Sequence, residues 1–580
     1  MAPVVRNCSV VLLLLSLASL TVAAAAAAPN SAYSQHFMFV SNLGRSHMVP
    51  YLEVLQPLAE RGHNVTVVTD KDESAWLAPN YPRFELRFVP DSVNQRMHEI
   101  RHGDSSMAKE MFDPNKRGFA AIMNHFTIPT YPAMSGYLRG VLNSSRPDLL
   151  LCDMMVDACA DVADTLGIKY AISMSMVPPG VDHAPYLTSW LSPYPHSTTL
   201  QLNLWQRFVT ALVVPAQVMA SMRQPVQRLN KVKQECGIKV TAGNPVARHA
   251  HALKVVNSFF GFESPRPMSP LVQVIGPIRS HVNSSMPADI QGWLDQLARN
   301  VSSSSSTSST GGSSGAQQPR VVYVAFGTHV DMPANVMQHL SDALLAVLDA
   351  GYADGVIWAV GNNRRDKFPA ALEHRHRVLL LPFAPQRALL AEPAVSLFVS
   401  HGGAESSHEA MHDAVPMLVV SFFGDQPMNG VKLKEAGMAE AIRQHLLTAE
   451  KARGLLFQML DPATAGPYRA AARKMQALVR ALDSTNTAAA ANMFEFYAQY
   501  GWDHLIPAGD RMPWYKASNA DLFAMVGAAA LLLLVAVVLV LRRLVLALVA
   551  AASSGSCSGV QEPGASSKEW GVHATKAKAA

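Results

Sequence analysis

The chain has 580 residues, so two domains with appendages are expected. Hydrophobic residues make up 49% of it and charged residues 16%, which permits a large core and excludes global disorder. The formal net charge of +5 is small for this length and no basic stripe is present, so nucleic acid is not expected as a partner.

The N-terminus, residues 1–28, reads as a secretory signal peptide. Arg6 precedes the apolar run VVLLLLSLASL and a run of alanines, which gives the basic, apolar and small-residue regions in the usual order. Cleavage is expected between Ala28 and Ala32. A signal anchor that stays on the chain is the alternative interpretation.

The first half then alternates between strand and helix patterns. His36 to Asn42 reads as a strand, the next helix pattern ends at Gly62, and NVTVVTD is a second strand. The segments PDLLLCDMM, DACADVADTLGI and KYAISMS repeat the order strand, helix, strand. Nearly continuous apolar strands that alternate with amphipathic helices predict an α/β fold whose parallel sheet is covered on both faces.

Five cysteines are too few and too unevenly placed for a disulfide framework. Cys8 leaves with the signal peptide and Cys557 lies in the predicted tail, so an odd set remains: Cys152, Cys159 and Cys236. We therefore expect the hydrophobic core, not crosslinks, to hold the fold. No Cys/His set has the spacing of a zinc site, and no metal is expected.

The second half repeats the strand and helix alternation. RVVYVAFGT, GVIWAVG, HRVLLLP, VSLFVS and PMLVVSF read as strands. The serine-rich segment 300–319 is predicted to be a surface loop inserted in this half. The boundary between the halves is placed at Phe262 to Pro270.

An uncharged apolar run, Leu522 to Leu541, is long enough to cross a bilayer, because twenty residues of helix span about 30 Å. Arg542 and Arg543 follow it and place the tail, residues 542–580, in the cytosol. A buried core helix is the alternative.

The end of the tail and the sequons point to a compartment. Lys576 and Lys578 resemble the di-lysine retrieval signal of endoplasmic reticulum membrane proteins. Sequons at Asn143, Asn283 and Asn300 suit a glycoprotein. Together with the signal peptide and single span, they predict a type I protein of the endoplasmic reticulum membrane whose body is lumenal.

The most informative motif is FVSHGGAESSHEA, in which His401, Gly402 and Gly403 stand between a strand and a helix. In open parallel sheets, ligands bind beyond the carboxyl ends of the strands, where helix N-termini offer free N–H groups. His401 could donate a hydrogen bond to a diphosphate, and Glu409 could accept from two ribose hydroxyls. Taken alone, a turn with a structural histidine explains the motif equally well.

The wider stretch Phe383 to Asn429 resembles the donor-binding signature of the UDP-glycosyltransferases, family 1. The matching motifs are Pro385-Gln386, His401-Gly402-Gly403, Glu409-Ala410, Val415-Pro416-Met417, Asp425-Gln426 and Asn429. Outside this stretch, GRSHMVPYLEVLQPLAERGHNVTVV, PDLLLCD and HLIPAGDRMPWYKASNADL resemble other parts of the membrane-bound, animal-type members.

The resemblance implies the GT-B fold, a pair of Rossmann-like domains that face a cleft. The acceptor-binding domain is expected at residues 33–265 and the UDP-sugar-binding domain at 270–500, followed by a juxtamembrane segment at 501–521. The implied reaction is an inverting transfer of a glucosyl or glucuronosyl group from a UDP-sugar to a hydroxyl of a small lipophilic acceptor, without a metal or other cofactor.

The resemblance also implies roles for residues at matching positions. His47 is the expected general base and Asp153 its partner, as in a Ser-His-Asp triad. The alternatives are purely structural roles. His47 could cap a helix or lie at the surface, Asp153 could cap its strand, and Asp425 could also be a helix N-cap. The expected donor-binding residues are Thr328, Phe383, Gln386, His401, Gly403, Ser406, Glu409, Asp425 and Gln426.

Two residues depart from the family pattern. Phe383 stands where the family usually has tryptophan over the uracil, and a phenylalanine can still stack there with less area. Where animal-type relatives commonly carry asparagine after HGGA, this chain has Glu405, whose charge would repel a diphosphate. A catalytically impaired, membrane-tethered binding protein therefore stays open as an alternative. A glycosyltransferase that acts on a lipid or sterol is a further alternative, because the apolar, Met-rich variable segments fit lipids as well as small acceptors. The sequence does not identify the sugar, the acceptor or the oligomeric state.

Overall fold

The computed structural model describes residues 34–102, 110, 118–177, 184–188, 192–240, 249–282, 285–305, 318–327, 330, 332–361, 368–373 and 375–554. The predicted signal peptide, most of the serine-rich loop, Asn283, Thr328 and the di-lysine tail lie outside these residues. The chain forms two compact units, one that runs to Ile506 and one that begins at Pro507.

The first unit is built on two sheets whose paired strands all run parallel, as the sequence predicts. The strand orders are β3-β2-β1-β4-β5-β6-β7 and β10-β9-β8-β11-β12-β13. In chain order the strands are β1 His36–Val40, β2 Asn64–Thr69, β3 Glu85–Phe88, β4 Leu149–Asp153, β5 Tyr170–Met174, β6 Leu253–Val256, β7 Val272–Val274, β8 Val321–Ala325, β9 Gly355–Ala359, β10 Val378–Leu381, β11 Val395–Ser400, β12 Met417–Ser421 and β13 Ala439–Arg443.

Helices cover both faces of each sheet. Those associated with the first half are α1 Arg45–Glu60, α2 Ser74–Asn80, α3 Asp91–His102, α4 Gly118–Ile122, α5 Ile128–Ser144, α6 Asp157–Leu166, α7 Leu204–Phe208 and α8 Val214–Glu235, with π-helical turns at Met123–Thr127 and Val209–Val213. Those that follow are α9 Ala288–Ser305, α10 Ala334–Asp349, α11 Ala370–Glu373, α12 Gln386–Ala391, α13 Ala404–His412, α14 Gln426–Glu435, α15 Ala449–Leu460 and α16 Gly466–Tyr500.

The topology places one ligand-binding edge in each sheet. The strand order reverses at β1 and β4 in the first sheet and at β8 and β11 in the second. Ligands of such sheets bind outside the carboxyl ends of the strands at the reversal. His47 follows β1 and Asp153 ends β4, whereas His401 follows β11, so the predicted residues stand at both of these edges.

Two segments tie the halves of the first unit together. Phe259 and Phe262, which follow β6, are buried in the core of the second half. The 35-residue helix α16 packs Met475 on that same core and Phe494 on the core of the first half. Because α16 is continuous and packs on both cores, it connects the two halves of the first unit.

The predicted domain boundary differs from the observed sheets. The three residues of β7, Val272–Val274, pair with β6 in the first sheet, so this sheet continues past residue 265. The predicted boundary segment instead contributes a buried ion pair between the halves: Lys432 Nζ lies 2.7 Å from a carboxylate oxygen of Glu263. The chain leaves the first sheet only after Val274.

The prediction that crosslinks play no part is wrong. Cys152, near the end of β4, forms a disulfide with Cys159 in the first turns of α6. The physical reason is that the chain turns back after β4, which brings residues seven apart in sequence together. Cys236 is free.

The second unit contains α17 Trp514–Ala517 and the long helix α18 Ala520–Ser554. The 35 residues of α18 include the predicted span Leu522 to Leu541 and continue through Arg542 and Arg543. Its most apolar window has a mean hydropathy of 3.0, so α18 is long and apolar enough to cross a membrane.

Candidate active site

The pair of His47 and Asp153 is formed as predicted. Nδ1 of His47, in the first turn of α1, lies 3.0 Å from Oδ2 of Asp153 at the end of β4. The same oxygen accepts a 2.7 Å hydrogen bond from Ser41, and Oδ1 accepts one of 2.9 Å from the backbone N–H of Met155. The carboxylate is thus fixed and buried, while the imidazole, 31% exposed, keeps Nε2 for a ligand.

The electrostatic surroundings favour the protonated form of His47. Burial alone would lower the pKa of this imidazole, but the charge and hydrogen bond of Asp153, with the charge of Asp425, outweigh it and raise the pKa above its usual 6.5. Asp425 belongs to the second half of the chain. His47 therefore faces the second half as well as its own partner.

The two glycines that follow β11 stand where a side chain would make close contacts with neighbouring atoms. Gly402 has a φ of 82°, and a Cβ there would lie 2.6 Å from a methyl group of Val419. A Cβ on Gly403 would lie 2.6 Å from Nε2 of His401. Only glycine lets the backbone pass this close to both the sheet and the imidazole.

The turn offers neutral hydrogen-bond donors to an anion. Burial lowers the pKa of His401 to about 4, so its imidazole is uncharged at neutral pH and can donate one N–H. Gly403 is the N-cap of α13, whose first N–H groups have no partner within the helix. A diphosphate suits this set of donors and the positive end of the helix dipole.

A polar network lies next to the turn. The amide nitrogen of Gln386 donates to Glu409 Oε2 at 2.6 Å and to Ser406 Oγ at 3.0 Å, and its oxygen accepts from the Tyr323 hydroxyl at 3.3 Å. These residues come from α12, α13 and β8. Phe383, just before α12, is 70% exposed, so its ring is free to stack on a base.

Hydrogen bonds fix the polar side chains at the start of α14. Asp425 accepts a 2.8 Å hydrogen bond from Asn429, which also donates to the carbonyl of Gly402 at 3.0 Å. Asp425 stands at the N-cap position, but its side chain makes no capping hydrogen bond. The oxygen of Gln426 accepts from the N–H groups of Phe422 and Phe423, which leaves its NH₂ end for a ligand.

A cavity opens between residues of the two halves. Its lining is Ser46, His47, Pro50, Tyr51, Ser173, Met174, Ser175, Asn257, Ala404 and Glu405. Most of these residues lie at the end of β5 or just after β1, β5 and β6 in the first sheet, whereas Ala404 and Glu405 begin α13 in the second half. The predicted base and the diphosphate-binding helix therefore line one cavity.

The carboxyl group of Glu405 is favoured in its neutral form. Burial is the main cause of its raised pKa, and the charge of Glu409 adds to the effect, whereas Arg387 opposes it. Burial likewise raises the pKa of Glu409. The shift favours the neutral form of Glu405, and in that form the carboxyl group would not repel a diphosphate.

The structure brings most predicted residues together and adds others. Thr328 lies outside the described residues. Sequence reasoning missed Ser41 behind Asp153. It also missed Tyr51, which lines the cavity and whose hydroxyl lies 2.6 Å from the carbonyl oxygen of Met174 and 2.8 Å from that of Val255. Asn257 also lines the cavity. Position at the carboxyl end of strands is the signal that could have revealed Ser41 and Asn257.

The chain is similar to known proteins over most of its length. The family model described as "UDP-glucoronosyl and UDP-glucosyl transferase" matches residues 37–551. A UDP-glycosyltransferase stmC of Aspergillus ustus is 26% identical over 529 residues, which cover 84% of this chain and 94% of that protein. UDP-glucuronosyltransferase 3A2 of mouse is 24% identical over 504 residues, or 83% and 88% of the two chains.

Solved structures establish the fold. A UDP-glucosyltransferase from Polygonum tinctorium, capable of glucosylating indoxyl, superposes with a TM-score of 0.55 at 18% identity and covers 80% of this chain and 100% of its own. UGT2 of Phytolacca americana, complexed with UDP-2-fluoro-glucose and pterostilbene, gives 0.53 at 15% identity over 80% and 100%. The first unit therefore has the GT-B architecture, two Rossmann-like halves that face each other.

Proposed function

The chain belongs to the UDP-glycosyltransferase family and transfers a glycosyl group from a UDP-sugar, and we propose that it moves a glucosyl or glucuronosyl group to a hydroxyl of a small lipophilic acceptor. The observation that carries this proposal is the shared cavity: His47 and the start of α13 line it from different halves. One wall can deprotonate an alcohol while the other holds a diphosphate.

The proposed mechanism is a single displacement that inverts the anomeric carbon. Nε2 of His47 takes the proton from the acceptor hydroxyl, because Nδ1 is engaged by Asp153. The Asp153 carboxylate then stabilises the imidazolium. The departing UDP is stabilised by preset donors, namely the N–H groups at the start of α13 and His401.

The proposed donor site uses the remaining predicted residues. Phe383 stacks on the uracil, the Gln386 and Glu409 pair binds ribose, and Asp425 with the NH₂ end of Gln426 binds sugar hydroxyls. Since preset N–H donors can stabilise the charge of the leaving group, we propose that no metal takes part. Turnover is then expected to be unchanged when EDTA is added.

The test of the proposed function is the variant His47→Ala, with His445→Ala as the control at an exposed position. UDP release is measured with UDP-glucose or UDP-glucuronate over a panel of hydroxylated acceptors. His47→Ala should reduce turnover by about 10²- to 10⁴-fold while UDP affinity stays within about twofold. An unchanged rate removes His47 from the mechanism, and UDP binding without turnover in the wild type favours a binding protein.

We further propose that the catalytic part lies in the lumen of the endoplasmic reticulum. Three observations support this: the apolar helix α18, the basic pair Arg542 and Arg543, and the disulfide of Cys152 with Cys159, which suits an oxidising compartment. Protease protection of sealed microsomes checks the topology. An epitope at the C-terminus should be cleaved while the body is protected, and the opposite pattern would overturn the assignment.

A further inference from the structure

A long apolar stripe lies exposed on the surface of the first unit. It runs along α7, the π-helical turn Val209–Val213 and the start of α8. Leu204 is 76% exposed and Leu212 is 60% exposed. The large side chains of the stripe are Leu204, Trp205, Phe208, Leu212 and Met219, and the exposed residues between them include Ala211, Pro215 and Ala216.

The stripe belongs to a well-anchored helix. Asn203 and Gln206 form a capping box, since each side chain bonds the other's backbone N–H, at 2.9 and 3.0 Å. On the opposite face Thr210 and Val214 are buried, and Thr210 Oγ1 lies 3.3 Å from Ser192 Oγ. The exposure of the stripe therefore follows from how this helix is fixed to the body.

The charges of this segment are of one sign. From Thr199 to Gln234 the sequence has no Asp or Glu, but it has five basic residues. Arg207 and Arg223 are exposed beside the stripe, whereas Arg228 donates to Asn124 at 2.7 Å. A helix with Leu, Trp and Phe on one face and arginines at its margin has the chemistry of a helix that lies in a membrane interface.

The chain itself keeps a bilayer within reach. Only 13 residues, 507–519, separate the first unit from α18. Fully extended, such a segment spans at most about 45 Å. When α18 crosses a membrane, this tether keeps the body within reach of that membrane, so a lipid surface is always available as an apolar partner.

We propose that the apolar stripe is a second membrane contact, in which its leucine and aromatic side chains enter the acyl region of the lumenal leaflet while Arg207 and Arg223 reach lipid phosphates. Trp205 suits this depth, because its ring is largely apolar and its N–H is polar. The contact would hold the body against the leaflet in addition to the tether.

The test uses the full chain in phosphatidylcholine vesicles that contain a phospholipid with a diazirine in its acyl chain. After photolysis, labelled peptides are mapped by mass spectrometry. Label is expected on residues 199–222 as well as on α18, which is the internal positive control. The exposed helix α15 is the negative control, and no more label on the stripe than on α15 overturns the proposal.

In a triple variant, Leu204→Ser, Phe208→Ser and Leu212→Ser, the label on residues 199–222 should be at least about fivefold weaker than in the wild type. Label on α18 and UDP affinity should be unchanged, and the matched control is Leu446→Ser with Leu478→Ser, which are also exposed leucines. Undiminished label in the triple variant contradicts the proposal. The proposal is also contradicted if the stripe carries no lipid label and two chains can be chemically crosslinked through it, because the stripe would then be a protein interface. Neither readout needs turnover.

Discussion

His47 and Asp425 come from different halves of the chain, yet each shifts the other's pKa. The charge of Asp425 contributes to the raised pKa of His47, and the charge of His47 opposes the rise that burial causes in the pKa of Asp425. Such coupling requires the two side chains to be close across the cleft. It places the proposed base beside the proposed sugar-binding carboxylate, where an acceptor oxygen must meet the anomeric carbon.

The pH dependence of turnover tests the role of Asp153. Because the pKa of His47 is raised, its imidazole is protonated and inactive as a base below that pKa, so activity should fall on the acid side. In Asp153→Asn, burial acts without the opposing carboxylate and the pKa of His47 should drop. The acid limb of kcat/KM should then move to lower pH while the plateau falls, by up to about 10⁴-fold.

The control for this experiment is Asp289→Asn, at an exposed position in the first turn of α9. Its profile should match the wild type. An Asp153→Asn profile that loses rate but keeps the same acid limb would mean that Asp153 does not set the pKa of His47.

Glu405 gives a second pH prediction. Its raised pKa means that the carboxyl group is neutral until the pH passes that value, and only then does its charge oppose the diphosphate. Two unit charges about 4 Å apart repel by about 4 kcal/mol at an effective dielectric of 20. The wild type should therefore lose UDP affinity as pH rises, whereas Glu405→Gln should not.

Calorimetric titration of UDP from pH 5 to 9 checks this prediction. The quantity to compare is the ratio of the wild-type Kd to the Glu405→Gln Kd, because the protonation of UDP itself affects both values equally. Glu450→Gln, at an exposed position of α15, is the control. A ratio that stays constant over the whole range would show that Glu405 is not titrating next to the nucleotide.

Phe383 is expected to contribute stacking energy to nucleotide binding. Replacement by alanine should weaken UDP binding by about 0.5–1.5 kcal/mol, or about 2- to 10-fold, whereas Phe383→Trp should retain or strengthen it. Leu446→Ala is the control, since Leu446 is 49% exposed elsewhere on the second half. Equal Kd values for Phe383→Ala and the wild type would place the uracil away from this ring.

The disulfide makes a prediction about stability. In the chain-entropy treatment, closing so short a loop contributes about 2–3 kcal/mol. Replacing both Cys152 and Cys159 by alanine should lower the free energy of unfolding by about that amount, as measured by denaturant titration in detergent. Cys236→Ala should have little effect. Two reactive thiols at positions 152 and 159 in the unreduced native protein would contradict the assignment.

The sequence alone was sufficient to predict the features that have a local, repeated sequence pattern. The alternation of apolar strands with helices predicted both parallel sheets. The motif around His401 predicted the turn between β11 and α13. Features that depend on tertiary packing were missed. The three-residue strand β7 is too short to carry a pattern, and α16 looks like an ordinary amphipathic helix although it serves two cores.

Side-chain environments show the same limit. The disulfide was missed because the pairing of Cys152 with Cys159 depends on how the chain turns after β4. The repulsion expected from Glu405 assumed an ionised carboxylate, whereas burial next to Glu409 raises its pKa. Sequence identifies the residue, but the fold decides its charge.

The most direct test of the account is a crystal structure of the chain with UDP-2-fluoro-glucose bound. We expect the diphosphate on the N–H groups that begin α13, next to His401, and the anomeric carbon within about 6 Å of His47 Nε2, which leaves room for one acceptor oxygen between them. A nucleotide bound elsewhere, or a sugar whose anomeric carbon faces away from His47, would contradict the account.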